Sequence, residues 1–277
     1  MIDELILDAL KEDIGEGDHS SLACIAATED GSARLEVRES GIIAGIEVAQ
    51  RIFELFDSSL KLEVFIEDGS SVKPGDIAFI VRGAARSILT TERLVLNIMQ
   101  RMSGIATKTN QMVKMIGHTH ATLLDTRKTT PNFRLFEKQA VLIGGGGNHR
   151  FGLYDMVMIK DNHIDFAGGV AEAITTTVNY LKSKRKKLSI EIEVRNKEEL
   201  TEVIRVGGVD RIMLDNFSPP EIKEALKTIP KTYETEASGG ISQSTIVAYA
   251  ETGVDFISVG ELTHSVKSLD LGLKARF

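Results

Sequence analysis

Six short apolar runs beyond residue 120, each closing on a charged residue, a hydroxyl or a glycine, constrain the fold more than any other feature. In chain order, ATLLD (121–125) leads into Thr126-Arg127-Lys128, MVMIK ends at Lys160, and SIEIE ends at Glu193. RIMLD then ends at Asp215, YETEASGG at Ser238-Gly239-Gly240, and FISVG at Gly260. Stretches of helical period separate them. Strands alternating with helices argue for parallel βα units, so the fold class is α/β. In barrels of this kind the chemistry sits where the βα loops converge, at the carboxyl ends of the strands. Two cationic, two anionic and two glycine-bearing ends then face one mouth. That is an inventory for a polyanionic substrate, a divalent metal and a phosphate group.

The 277 residues suffice for one barrel plus a smaller domain. A net charge of −7 argues against a nucleic-acid or membrane-surface binder, which would carry a basic face. The basic run Lys184-Arg185-Lys186-Lys187 reads as a solvated loop before a strand. Cys24 is the one cysteine, so no intramolecular disulfide forms and a reducing, cytoplasmic setting fits. Its apolar flanks suggest a small buried hydrophobe rather than a nucleophile. The opening MIDELILDALKED is acidic and amphipathic, unlike a signal peptide. No apolar stretch approaches the roughly 18 residues of a membrane span.

The first hundred residues read as a compact α+β unit. A helix over 2–13 puts Ile2, Leu5, Ile6 and Leu10 on one face, and a second helix is expected over 45–57. Ala33, Leu35 and Val37 alternate with polar neighbours, as do Leu62, Val64 and Ile66, with turns at Asp68-Gly69 and Pro74-Gly75. A long helix follows over about 84–103. Val95, Ile98, Met99 and Met102 should pack inward, while Arg93, Asn97, Gln100 and Arg101 fall away from that stripe. Ser103-Gly104 is the expected helix break and domain boundary, giving domains 1–103 and 104–268.

The cations cluster between Asp125 and His163: Arg127, Lys128, Arg134, Lys138, Arg150 and Lys160, with His149 and His163. The run GGGGNHR (144–150) opens onto His149 and Arg150, and its glycines permit close backbone approach to a ligand and positive φ. Arginine offers a planar fork for carboxylate or phosphate and lysine a point charge. A surface cation is the default for any one of these residues. It fails for Arg127, Lys128, Arg150 and Lys160 together, at strand ends in an acidic protein. Arg134 and Lys138, four apart beside Glu137, are expected in solvent.

Glu193 and Asp215 end apolar strands and suit magnesium, which takes one or two carboxylates completed by water and substrate phosphate. An acid/base pair for glycoside chemistry is the alternative. Glu191 either shares that role or faces the barrel core, and Asp215 alternatively caps the helix starting near Ser218. ASGGI (237–241) and ISVGELTHS (257–265) are each a strand, a glycine and a helix start, and late barrel strands commonly hold phosphate on such amides. His264 either reaches the mouth or serves as a capping or surface histidine.

These segments closely resemble the quinolinate phosphoribosyltransferase family. The matching stretches are TERLVLNIMQRMSGIAT (91–107), DTRKTTP (125–131), GGGGNHRFGLYDMVMIKDNHI (144–164), EIEV (191–194), MLDN (213–216), EASGGI (236–241) and ISVGELTHS (257–265). The resemblance implies an N-terminal α/β sandwich domain followed by an incomplete, about seven-stranded parallel α/β barrel. The six strands counted here leave one missed or irregular. It implies that the C-terminal tail, 269–277, returns to the first domain. It implies a homodimer, sometimes a higher assembly, in which Arg93 acts in trans. The implied reaction joins quinolinate to phosphoribosyl pyrophosphate, giving nicotinate mononucleotide, pyrophosphate and carbon dioxide, with Mg2+. By the resemblance, Arg93 of the neighbour, Thr126, Arg127, Lys128, His149, Arg150 and Lys160 grip quinolinate. Glu193 and Asp215 hold metal and ribose hydroxyls. Ser238, Gly239, Gly240, Val259, Gly260 and Glu261 cradle the 5′-phosphate, with His264 an additional contact. Lys128, Lys160, Glu193 and Asp215 carry the catalysis.

Three rivals remain. A relative from the molybdate-transport gene neighbourhood tends to lack KDNHI, which is intact here at 160–164. EDGSSVKPGDIAFIVRG (67–83) resembles the turn-rich strands of biotin and lipoyl carriers, but Lys73 precedes Pro74-Gly75 and no Met-Lys-Met-like tip is present. The third is a barrel that binds a phosphosugar without catalysis.

Overall fold

The computed structural model describes residues 2–276. In chain order the elements begin α1 (Ile2–Ile14), α2 (His19–Cys24), β1 (Asp30–Val37), β2 (Gly41–Ile42), α3 (Ile46–Phe56), β3 (Lys61–Val64), β4 (Ser71–Val72), β5 (Ile77–Ala84) and α4 (Ala85–Ile116). They continue β6 (Thr122–Leu124), α5 (Arg134–Ile143), β7 (Val157–Ile159), α6 (Asp161–Ala167), α7 (Val170–Lys184), β8 (Ile190–Val194), α8 (Lys197–Val206) and β9 (Arg211–Asp215). Last come α9 (Pro219–Leu226), β10 (Glu234–Ser238), α10 (Ile246–Ala250), β11 (Phe256–Ser258), α11 (Glu261–His264) and β12 (Leu271–Arg276). Two compact units result: Met1–Asn110 with Thr129–Gly145 and Leu262–Phe277, and Gln111–Lys128 with Gly146–Glu261.

The first unit is built on an antiparallel sheet of order β12-β1-β5-β3. Period-two alternation buries Ala33, Leu35 and Val37 on one face of β1. β5 is paired on both sides, by β1 and β3, so the segment likened to a carrier module is a central strand of this sheet. The C-terminal β12 pairs antiparallel with β1. α3 buries Ile46, Val48, Ala49, Ile52 and Phe53, with Phe53 edge-on to Phe79 at 6.1 Å. Leu62 and Val64 do not repeat the burial of β1, because β3 is an edge strand with both faces partly open.

α4 is a single helix of 32 residues that runs through Ser103-Gly104 without a break. The glycine serves close packing: a Cβ on Gly104 would sit 2.3 Å from the Lys267 carbonyl oxygen. Ser103 donates instead to the Ala44 carbonyl and accepts from the Ala44 N–H at 2.9 Å. Val95, Ile98, Met99 and Met102 are buried as the periodicity predicts. Gln100 and Arg101 do not face solvent. Gln100 donates to the Leu271 carbonyl at 2.8 Å, and Arg101 pairs with the fully buried Glu137 at 2.8 Å. Glu137 also accepts from the N–H and hydroxyl of Thr130, at 3.1 and 3.0 Å. α5 is correspondingly inward-facing. Lys138 is buried and Arg134 half-buried, donating to Thr129 Oγ1 at 2.8 Å, which corrects their expected solvation.

The second unit is a parallel sheet of order β6-β11-β10-β9-β8-β7 with helices in the connections. Its edges are the first two of its strands in chain order, β6 and β7, which are not paired with each other in the sheet. The sheet is therefore a barrel left open at one seam, a partial α/β barrel. The missing strand position beside β6 is held by one parallel bridge, Leu124 to Gly147. The Gly147 N–H donates to the Leu123 carbonyl at 2.7 Å, and the Asp125 N–H to the Gly147 carbonyl at 3.2 Å. Two positions of the glycine run thus serve packing against the chain itself rather than ligand approach. A Cβ on Gly147 would meet Leu124 at 2.9 Å, and one on Gly144 the Ala106 carbonyl oxygen at 2.6 Å. Gly145 does take positive φ, +91°.

Candidate active site

Parallel register sets the site's levels. Glu193 lies beside Met213 and Ser238 beside Asp215, so Glu193, next to last in β8, and the last residues of β9 and β10 lie at the carboxyl-end rim. The same alternation points Glu191, Arg211 and Glu236 from those strands deeper on the same face. Lys160, just past β7, forms a short ion pair with Glu193. Lys160 is half-exposed while Glu193 is nearly buried. The His163 ring accepts the Lys160 N–H at 2.9 Å and fixes that corner as α6 begins.

The cationic side follows β6. Asp125 is fully buried, Thr126 half-buried, and Arg127 and Lys128 exposed, with the Lys128 N–H donating to Thr126 Oγ1 at 3.1 Å. Asp125 accepts the His149 N–H at 2.8 Å and so ties the glycine run to β6. Burial holds the half-buried Arg150 guanidinium below its usual range, and the nearby charge of Arg127 adds to this. Two guanidinium groups close enough for one to bear on the other suit a ligand with more than one negative charge.

The anionic side is its mirror. Burial raises the Asp215 carboxyl above the ordinary carboxylate range, and the charge of Glu193 raises it further, with Lys160 and Asn216 opposing. Oxygen donors in like-charge repulsion suit a hard divalent cation. Asp215 is not a helix cap. Ser218 caps α9 and exchanges reciprocal bonds with Glu221.

The glycine turns lie at the same rim. Asn216 adopts φ +58° and donates its N–H to the Ser238 carbonyl at 2.9 Å. Gly239 and Gly240 both take positive φ, and a Cβ on Gly239 would stand 2.3 Å from Asn216 Oδ1. Val259 is buried and donates its N–H to the Leu124 carbonyl at 3.0 Å. Gly260 follows, half-buried, and Glu261 accepts the Gln243 N–H at 2.8 Å. Arg93 and His264 belong to the first unit. Arg93 is exposed on α4, and His264 is exposed with its ring 2.6 Å from Ser265 Oγ.

Below the rim lies a charge cluster the sequence did not announce. His149 Nε2 is 2.9 Å from Glu191 and 3.4 Å from Glu236, both carboxylates fully buried. Arg211 reaches Glu236 at 3.0 Å and Glu234 at 2.8 Å, and its guanidinium lies 3.9 Å over the Phe256 ring. Burial disfavours a charged imidazole while the two carboxylates hold a proton on Nε2, and the Arg150 main-chain N–H donated to Nδ1 at 2.7 Å leaves that nitrogen unprotonated. Glu191 therefore faces the barrel core rather than the rim. Glu236 and Arg211 were missed, and the available signal was a charge inside an apolar strand rather than at its end. Cys24, expected to be buried, is exposed.

Two family sequence descriptions match in succession: the quinolinate phosphoribosyl transferase N-terminal domain over residues 18–103 and its C-terminal domain over 105–274. The chain belongs to the quinolinate phosphoribosyltransferase family. It is 46 % identical over 281 residues to quinolinate phosphoribosyltransferase (decarboxylating) 1b of Nicotiana tabacum, covering 96 % of this chain and 80 % of that one. It is 45 % identical to the chloroplastic nicotinate-nucleotide pyrophosphorylase (carboxylating) of Arabidopsis thaliana, over 96 % of this chain and 80 % of that protein. Among solved structures, NadC from Streptococcus pyogenes superposes with a TM-score of 0.93 at 40 % identity, covering 100 % of this chain and 97 % of that one. The family's fold is the one described above. Among the described residues, no helix is long and apolar enough to cross a membrane.

Proposed function

We propose that this chain transfers a phosphoribosyl group from phosphoribosyl pyrophosphate to the ring nitrogen of quinolinate and releases the 2-carboxylate as carbon dioxide, a step of NAD biosynthesis. One observation carries the reading beyond family membership. The rim holds two self-repelling pairs, Arg127 with Arg150 and Glu193 with Asp215, and Lys160 joins the two sides through Glu193. The cationic pair matches the charge of a polycarboxylate and the anionic pair that of a divalent metal.

Arg127, Lys128 and Arg150 supply cations for the two carboxylates of quinolinate, and Lys160 leaves Glu193 to join them when an anion arrives. Thr126 completes that wall, while His149, expected there, lies buried below the rim with both ring nitrogens engaged. Clamping both carboxylates aims the pyridine nitrogen at C1 of the ribose, and such orientation substitutes for the entropy of a bimolecular encounter. The C1–oxygen bond to pyrophosphate breaks as the nitrogen–C1 bond forms, through an oxocarbenium-like centre. The nitrogen becomes a pyridinium. The electron pair of the C2–carboxylate bond then moves to ring carbon 2, carbon dioxide leaves, and a proton replaces it, giving nicotinate mononucleotide. No protein nucleophile is required.

Glu193 and Asp215 fit magnesium by donor type and by their unbalanced charge, and they are placed to orient the ribose hydroxyls. The metal, when bound, supplies charge neutralisation for the departing pyrophosphate. The amides around Ser238, Gly239, Gly240, Val259, Gly260 and Glu261 are assigned to the 5′-phosphate. A cytoplasmic setting, supported by the lone cysteine, and a homodimer with Arg93 acting in trans belong to the same proposal. The experiment is a decarboxylation assay with quinolinate, phosphoribosyl pyrophosphate and magnesium, run against nicotinate. Carbon dioxide and pyrophosphate released in equal amounts from quinolinate support the reading. Turnover of nicotinate in its place rejects it.

A further inference from the structure

Two fully buried carboxylates on one histidine are costly unless they do something for it. Glu191 from β8 and Glu236 from β10 both approach His149 Nε2, at 2.9 and 3.4 Å. Arg211 from β9 holds Glu236 at 3.0 Å and is itself pinned by Glu234 and the Phe256 ring. On the other side, the His149 N–H donates to Asp125 at the end of β6, at 2.8 Å. His149 Nδ1 accepts the main-chain N–H of Arg150 at 2.7 Å. Residues from four strands or their ends therefore converge on His149, two positions beyond the single bridge at Gly147. Immediately beyond, Asp155 accepts the N–H groups of Phe151 and Gly152, at 2.6 and 2.8 Å.

We propose that Glu191 and Glu236, tethered by Arg211, are positioning residues that grip the Nε2 edge of His149 so that its Nδ1 edge fixes the backbone of Arg150 and aims that guanidinium at a carboxylate of the aromatic acid. The carboxylates do not touch substrate. Nε2 points into the buried acidic pair and Nδ1 is an acceptor, so one tautomer of the ring serves both contacts. A neutral partner at Glu236 would leave Arg211 and the ring in competition for one amide, and the seam loop would lose its fixed register. The consequence falls on the acceptor acid alone, because the phosphosugar contacts lie on the glycine turns and on Glu193 and Asp215. The proposal rests on the phosphoribosyl-transfer reading and adds to it which buried residues set acceptor affinity.

The experiment is a double-mutant cycle read on both Michaelis constants. Glu236→Gln should raise KM for quinolinate at least ~10-fold, the loss of about one well-placed charged hydrogen bond, and change KM for phosphoribosyl pyrophosphate less than about twofold. In a His149→Ala background the same substitution should change KM for quinolinate less than about twofold, because its effect passes through the ring. Glu191→Gln serves as the second variant, with thermal unfolding of each recorded alongside. Independently, nitrogen-15 shifts of labelled histidine in the unsubstituted, ligand-free chain should show His149 protonated at Nε2 and unprotonated at Nδ1. Effects on KM that multiply, equal effects on both substrates, or a proton on Nδ1 overturn the proposal. Absence of any quinolinate turnover by the unsubstituted chain overturns the functional reading and this one together. Turnover with multiplying effects overturns this one alone.

Discussion

Arg127→Ala separates binding from folding. Arg127 is exposed just past β6, and its charge bears on Arg150, the half-buried cation of the same wall. Its removal deletes one charge-assisted hydrogen bond to a substrate carboxylate, worth about 1.5–3 kcal/mol, or about 10- to 150-fold in affinity. An exposed side chain contributes within about 0.5 kcal/mol to folding, so Tm should move by no more than about 2 °C. Steady-state kinetics should show KM for quinolinate rising by that factor at saturating phosphoribosyl pyrophosphate and magnesium, with KM for the cosubstrate nearly constant. Differential scanning fluorimetry supplies the second readout. Equal losses for both substrates, or a Tm lowered by ten degrees, would refute the assignment of Arg127 to the acceptor wall.

Glu137→Ala tests a buried pair with no part in the rim: it strands Arg101 and both donors of Thr130, at a cost of about 3–5 kcal/mol. At about 2–4 °C per kcal/mol, calorimetry should record a fall in Tm of about 6–20 °C. Asp215→Asn should do the reverse in metal-free buffer. The Asp215 carboxyl is raised on folding, so its contribution favours the fold below the ordinary carboxylate pKa and is lost as pH rises. The substitution should therefore raise Tm at pH 7, the gain fading below about pH 4, while activity disappears. Thermal melts across that range check it, and destabilisation at pH 7 counts against it. Finally, Arg93→Ala and Lys160→Ala chains, each inactive alone, should regain activity when mixed and allowed to exchange subunits. Continued inactivity of the mixture rejects action in trans.

The rim was legible because it needs only the strand period and the identity of each last residue: Lys160, Glu193, Asp215 and Ser238 all emerged from it. The resemblance implies about seven strands; the sheet has six, with one isolated parallel bridge at Gly147 beside β6. Interior charge was not legible. A lysine or arginine on a helix is coded identically whether it meets water or a buried carboxylate, so Lys138 was placed in solvent and Arg101 off the inward stripe. Glu236 and Arg211 escaped for the same reason, since each is neutralised by a residue from another strand. Ser103-Gly104 misled because a glycine needed for close approach to Lys267 looks, in one dimension, like a helix stop.

The central claim is that one barrel rim holds an aromatic dicarboxylate on its cationic side and a metal-bound sugar diphosphate on its acidic side. Two crystal soaks test it most directly, quinolinate alone and magnesium with phosphoribosyl pyrophosphate alone, so that neither reacts. Density for the dicarboxylate should lie within hydrogen-bonding distance of Arg127 and Arg150, and the metal and diphosphate should lie against Glu193 and Asp215. Quinolinate bound away from both arginines, or a metal held elsewhere with Glu193 still paired to Lys160, would contradict the account.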